Sequence, residues 1–258
     1  MATSDPRKLP SPAAAMVLFG AVLISNLAMG RIVATSGISA DWLLVATPLV
    51  LVVFTLLFVF GFRLDPEETL LLRLPTWPDF LMAIPLAISF VILSDQLSTL
   101  TSDLVPAELA EQLREVQLRW LRATSPGEWI GKLATIGAGA AISEELMFRG
   151  FVQSAFSRTM RRASAVLWTS FLFMALHILP LPSFAAAGLV LGVTALATRS
   201  IVVPVVIHFL NNVAALALVN LAGIETLGDP VWIPPEILVP AVAIFVLSMT
   251  YFARRLLA

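Results

Sequence analysis

The segment "AISEELMFRG" (141–150) sets Glu144, Glu145 and Arg149 among Ala, Ile, Leu, Met, Phe and Gly. Downstream, "FLFMALH" (171–177) ends on His177, and "HFLNN" (208–212) carries His208 and Asn212. These are the chain's two histidines, so any imidazole chemistry uses one or both. Side chains four apart on a helix share a face, which pairs Glu145 with Arg149 and aligns His208 with Asn212. Glu144 points about 100° away from Glu145 and has no obvious partner. An unpaired carboxylate in apolar surroundings is a candidate general base or acid. A carboxylate, two imidazoles and an amide converging from three helices point to hydrolytic or metal chemistry. The bland alternative is an ion-paired network that holds helices together, with each histidine in an interhelical hydrogen bond.

Residue types narrow the chemistry. There is no cysteine, which removes thiol nucleophiles, thiolate zinc sites, iron–sulfur clusters and disulfides. Ser143 and Ser170 lie in apolar segments, but neither sits in a nucleophile turn. Aspartyl hydrolysis needs two intramembrane Asp, and Asp95 is the one candidate. HExxH is absent, although two His and a Glu still suit zinc. What remains besides zinc is water activated by a Glu with a His, while a second His and an Asn stabilise an oxyanion.

The elements that must position these groups are membrane helices. Of 258 residues 59% are hydrophobic and 13% charged, and the mean hydropathy is +0.92. Soluble domains carry about 25% charged residues, so the chain reads as one integral membrane domain. A net charge of -1 offers no basic surface for nucleic acid. Eight segments approach the ~20 apolar residues that a bilayer-spanning helix needs: 13–30, 42–62, 80–97, 129–157, 163–180, 183–198, 201–222 and 235–253. The expected fold is an all-α polytopic bundle of about eight transmembrane helices. The first segment, behind Arg7 and Lys8, resembles a signal peptide but is read as a retained span. With eight spans, ten Lys and Arg fall on the side of the termini and five on the other, which places both termini in the cytoplasm. Residues 106–122 differ: Leu109, Leu113, Val116, Trp120 and Leu121 recur near helical spacing between Glu and Arg, as in an amphipathic interfacial helix, either a connector or a lid. Small residues in "TIGAGAAIS" (135–143) permit close helix approach. Counting from the cytoplasmic ends puts Glu144 and His177 about 14 residues deep and His208 about seven, a mismatch of roughly 10 Å. A seventh span starting deeper, with Pro204 near its start, would absorb that offset.

The three motifs together resemble a family. "EELMFR" fits EExxxR, "FMALH" fits FxxxH and "HFLNN" fits HxxxN, in the order found in the CAAX protease and bacteriocin-processing proteins, the type II CAAX prenyl endopeptidase-like membrane proteins. The resemblance covers about 129–222, the expected catalytic core. It implies an intramembrane glutamic endopeptidase without metal or other cofactor. By motif position Glu144 would activate water with His177, while His208 and Asn212 would form the oxyanion hole. Glu145 and Arg149 would support them, and Phe173 would be a pocket wall. The implied partners are the bilayer and a protein or peptide substrate, prenylated in the eukaryotic relatives and of several kinds in bacterial ones. The implied location is a bacterial inner membrane. Three other readings compete: a catalytically silent scaffold or regulator of the same fold, a zinc-dependent membrane protease, and a transporter, for which no internal repeat speaks.

Overall fold

Ser11 and Pro12 start the first helix: the serine hydroxyl accepts from the Ala14 N–H, and proline occupies the first turn, where its missing donor is not needed. Helix α1 (Pro12–Ser36) runs to Gly37, whose φ of 71° ends it. The computed structural model describes residues 9–177, 182–221 and 232–257. After α1 come α2 (Leu43–Gly61), the short α3 (Pro66–Leu70) capped by Asp65, and α4 (Trp77–Leu100), opened by a capping box between Thr76 and Asp79. Helix α5 (Ala107–Leu121) follows, then a continuous helical rod. The rod consists of α6 (Pro126–Lys132), a π-helical stretch Leu133–Ala140, α7 (Ala141–Glu145), a second π stretch Leu146–Val152, and α8 (Gln153–Ser157). Four helices complete the described chain: α9 (Arg162–Leu176), α10 (Pro182–Thr198), α11 (Val202–Asn220) and α12 (Pro235–Leu257).

Each of the eight expected apolar segments coincides with helix, and among the described residues there is no strand, only an isolated bridge between Leu72 and Ser200. Among the described residues five helices are long and apolar enough to cross a membrane: Pro12–Ser36, Ala40–Gly61, Trp77–Leu100, Val202–Asn220 and Pro235–Leu256. The apolar α9 and α10 are shorter, and the rod is interrupted by its π stretches. The protein is thus a helical membrane bundle with five segments of clear spanning length. Positions 178–180 and 222 of the expected spans, and the N-terminal Arg7 and Lys8, lie outside the described residues.

The rod is the centre of the packing. Met147, Phe148, Phe151 and Val152 are buried against Ala15, Leu18 and Val22 of α1 and Leu51 and Val59 of α2. A second apolar cluster joins α4, α10, α11 and α12 through Leu86, Phe90, Leu191, Ile207 and Phe252. Outward faces carry exposed Leu57, Phe60, Leu247 and Val239, as a lipid-facing surface does. The plain helix expected over 129–157 is therefore modified. A π turn closes i→i+5 bonds and frees backbone groups locally, a departure concentrated at functional sites. Gly137 lets Phe209 of α11 approach, since a Cβ there would lie 3.2 Å from the ring.

The depth mismatch does not keep His208 from Glu144, which lie 3.9 Å apart at Nε2 and Oε2, and the turn before α11 is held by the segment after α3. Arg199 takes a left-handed φ of 51°, and Ser200 is buried under the segment following α3. The Ile201 N–H donates to the Leu71 carbonyl at 2.9 Å, and the Ser200 hydroxyl to the Arg73 carbonyl at 2.6 Å. The helix thus begins beneath a covering loop. Pro204 sits in its first turn, where a missing N–H leaves no bond unmade.

The α9–α10 contact is the tightest glycine contact. A Cβ on Gly188 would come 2.7 Å from the Ser170 Cβ and 2.8 Å from its Cα. Gly188→Ala should therefore cost about 1–3 kcal/mol by overpacking. Gly20→Ala, whose Cβ meets nothing within 4 Å, should change little. Thermal unfolding of the two variants in detergent measures the difference.

Candidate active site

Residues 145, 149 and 153 form one stripe on the rod. Glu145 Oε1 accepts from Arg149 Nη1 at 2.9 Å, and both side chains are fully buried. The guanidinium also donates through Nη2 to the Gly188 carbonyl at 3.2 Å. One turn on, Gln153 Nε2 donates to the Gly192 carbonyl at 2.9 Å. The two glycines are themselves four apart on α10, so two side chains of the rod reach two backbone carbonyls in register. Glycine at 192 makes room for the Gln153 side chain, since a Cβ there would lie 2.8 Å from Gln153 Oε1, while glycine at 188 lets α10 lie against Ser170 of α9. Arg149 further lies 4.5 Å above the Phe173 ring, in cation–π range. The expected Glu145–Arg149 ion pair is present, and its charge is spread over a carboxylate, a carbonyl and an aromatic face.

The carboxylate has a second donor that spacing did not suggest. His208 Nδ1 lies 2.9 Å from the same Glu145 Oε1. A carboxylate bound to a guanidinium accepts hydrogen bonds, so Nδ1 carries the proton. The other ring nitrogen, Nε2, is then turned toward Glu144, 3.9 Å from its Oε2. The imidazole thus stands between the two neighbouring glutamates. A donor at Nε2 requires the imidazolium, and the two carboxylates supply its countercharge.

His177 is placed by the end of α9. The helix stops at Leu176, and His177 turns to extended backbone with ψ 142°. Its Nδ1 lies 2.8 Å from the Phe173 carbonyl. A carbonyl can only accept, so Nδ1 donates and the neutral ring keeps its lone pair on Nε2. The Phe173 ring packs 4.7 Å from His177, 6.1 Å from His208 and 5.2 Å from Phe148, and Phe184 of α10 stacks on the other side of His177 at 4.0 Å.

These groups face one cavity of about 130 Å³. Glu144, His177, His208, Asn211 and Asn212 are its polar wall, and Phe90, Phe173, Phe184, Leu191 and Ile207 are among its apolar walls. A cavity of this size with several polar groups admits water. Among the described residues Glu144 Oε2 is buried without a hydrogen-bond partner, as is Glu145 Oε2. Asn212 is partly committed: its Nδ2 donates to the Ile136 carbonyl in the first π stretch at 2.9 Å. All the residues singled out in the three motifs meet here, the supporting pair behind the cavity and the other five around it. Among the described residues no three His, Asp or Glu side chains group with the geometry of a metal site.

Three features escaped the sequence reading. The Glu145–His208 bond joins residues 63 apart, and no local spacing encodes it. The partners of Arg149 and Gln153 had a signal, because "GLVLG" (188–192) has the small-xxx-small spacing of close helix contacts. Asn211, at a position the HxxxN spacing leaves unspecified, lines the cavity beside Asn212.

A helical membrane bundle with a buried carboxylate, two imidazoles and two carboxamides around an internal cavity is built like an intramembrane hydrolase. Residues 126–214, about a third of the chain, match the family model Type II CAAX prenyl endopeptidase Rce1-like. No curated protein and no solved structure matches the chain.

Removing one partner of a buried ion pair leaves an uncompensated charge, at a cost of about 3–5 kcal/mol. Glu145→Ala strands both Arg149 and His208 and should destabilise by that order. Asn212→Leu loses one neutral interhelical hydrogen bond and should cost about 1 kcal/mol. Melting temperatures of the two purified variants test the ranking.

Proposed function

We propose that the protein is an intramembrane glutamic-type endopeptidase that hydrolyses a peptide bond of a membrane-associated protein or peptide. The observation that carries this reading is that Glu144, which among the described residues has no partnering cation of the kind Glu145 has, lines one cavity with both imidazoles. A buried carboxylate oxygen without a partner is costly unless water or substrate completes it. The match to a protease family over the same residues supports the reaction class.

In the proposed reaction a water molecule is held between Glu144 and the free Nε2 of His177. Its oxygen attacks the scissile carbonyl carbon while Glu144 takes its proton. The carbonyl oxygen becomes negative and is stabilised by Nε2–H of His208 and the remaining N–H of Asn212. Collapse of the tetrahedral intermediate breaks the C–N bond, and Glu144 returns the proton to the leaving amine. Glu145 and Arg149 act behind this set: the carboxylate fixes the ring of His208, and the guanidinium holds the carboxylate. Phe173 is a wall for both imidazoles, and no metal or cofactor is required.

The rod, α9 and α10 join the five long helices to give eight crossings in one membrane domain, with 129–222 as its catalytic core. Both termini face the cytoplasm of a bacterial inner membrane. Helix α5 lies in the interface; its apolar Leu109 is exposed, while its last turn is tied down by Lys132 Nζ on the Trp120 carbonyl and Asn220 Nδ2 on the Leu121 carbonyl. The substrate is membrane-anchored, lipidated substrates included.

Glu144→Gln should lower turnover at least 10²-fold while leaving the melting temperature nearly unchanged, since general-base assistance contributes about 10²–10⁴. A comparison of protein termini in cells carrying the wild-type or the Glu144→Gln copy should show a terminus that depends on Glu144. Undiminished cleavage by the purified Glu144→Gln protein would refute the assignment. A chelator should leave activity intact; loss on chelation with recovery on zinc would replace this mechanism by a metal one.

A further inference from the structure

We infer that Asn211 is a substrate-binding residue whose carboxamide pairs with a main-chain peptide unit of the substrate beside the scissile bond. The inference rests on the protease reading above and adds to it a residue at a variable position of the HxxxN motif.

Asn211 and Asn212 follow His208 at i+3 and i+4, so they flank it on the cavity side of α11. Their amides are in different situations. Asn212 spends an N–H on the Ile136 carbonyl, which fixes it to the rod. Asn211 has no hydrogen-bond partner among the described residues, although it lines the cavity. Neither of its amide atoms is among the fully buried, unpaired polar atoms of the chain. The amide is therefore open to the cavity and unsatisfied by the described residues. The cavity it lines also has apolar walls, Phe90, Leu191 and Ile207 among them.

An amide in such surroundings is unfavourable until something completes its hydrogen bonds. The group offers two N–H donors and a carbonyl acceptor. An oxyanion uses donors alone. A peptide unit presents a C=O and an N–H together, so it matches the free amide at both ends. A segment that enters a cavity within the membrane must also leave the water that solvated its backbone, and a fixed amide replaces part of that solvation. Binding of this kind acts on the substrate before the barrier and so belongs in KM.

The test uses the whole protein, purified in detergent, with a synthetic peptide spanning the cleavage site found through the Glu144-dependent terminus. Asn211→Leu, nearly isosteric and apolar, should raise KM about tenfold and keep kcat within about threefold. Asn211→Gln, which keeps the carboxamide, should recover part of the loss. Asn211→Ala serves as a second apolar variant in case leucine disturbs packing, and melting temperature is read for each. An unchanged KM in a folded Asn211→Leu or Asn211→Ala protein overturns the inference alone. A fall in kcat at constant KM also overturns it, because the amide would then act on the oxyanion. If no terminus depends on Glu144 in the wild type, the protease reading fails and this inference falls with it.

Discussion

A single carboxylate oxygen, Oε1 of Glu145, receives a guanidinium from its own helix and an imidazole from α11. Both donors and the acceptor are buried, so each would be costly alone. Together they neutralise one another and fix three helices in one arrangement: the rod by Glu145, α10 through the Arg149 bond to Gly188, and α11 through His208. The orientation of His208 follows, because the bond at Nδ1 turns Nε2 toward Glu144 and the cavity. Two adjacent glutamates therefore take different parts. Glu145 binds Arg149 and His208 through Oε1 and stands behind the cavity, while Glu144 lines it; Oε2 of each has no hydrogen-bond partner among the described residues.

The backbone cooperates with this arrangement in unusual ways. Two π stretches flank the short α-helical turn that carries the glutamates. The first offers the Ile136 carbonyl to Asn212, so the rod holds α11 by its backbone as well as by Glu145. The second carries Arg149 and its buried phenylalanine neighbours Phe148 and Phe151. On α10, Gly188 and Gly192 expose carbonyls sideways to Arg149 and Gln153. Close approach of helices in a membrane depends on such small residues, since lipid tails compete equally for apolar surface.

On the proposed reading, the site separates duties by the second nitrogen of each imidazole. His177 gives its Nδ1 proton to the Phe173 carbonyl and keeps a lone pair at Nε2, as an acceptor for water should. His208 gives its Nδ1 proton to a carboxylate, whose charge suits an imidazolium with a donor at Nε2. Different partners thus make one histidine an acceptor and the other a donor. Phe173 serves both, through its carbonyl to one ring and its aromatic face against the two.

Composition alone identified a helical membrane protein, because 59% hydrophobic residues in long runs leave no other way to satisfy the backbone in lipid. Motif spacing identified the ion pair Glu145–Arg149 and the residues that surround the cavity, because i and i+4 contacts are local and read from one helix. The locations of all eight apolar segments were also legible, as was the amphipathic α5. The sequence did not reveal the buried turn that starts α11 under the loop after α3, since it is joined by hydrogen bonds between residues over 120 apart. Nor did it reveal the π stretches, the second donor on Glu145 or the open amide of Asn211. Each of these depends on which faces of distant helices meet, and a chain read in one dimension specifies faces but not their partners.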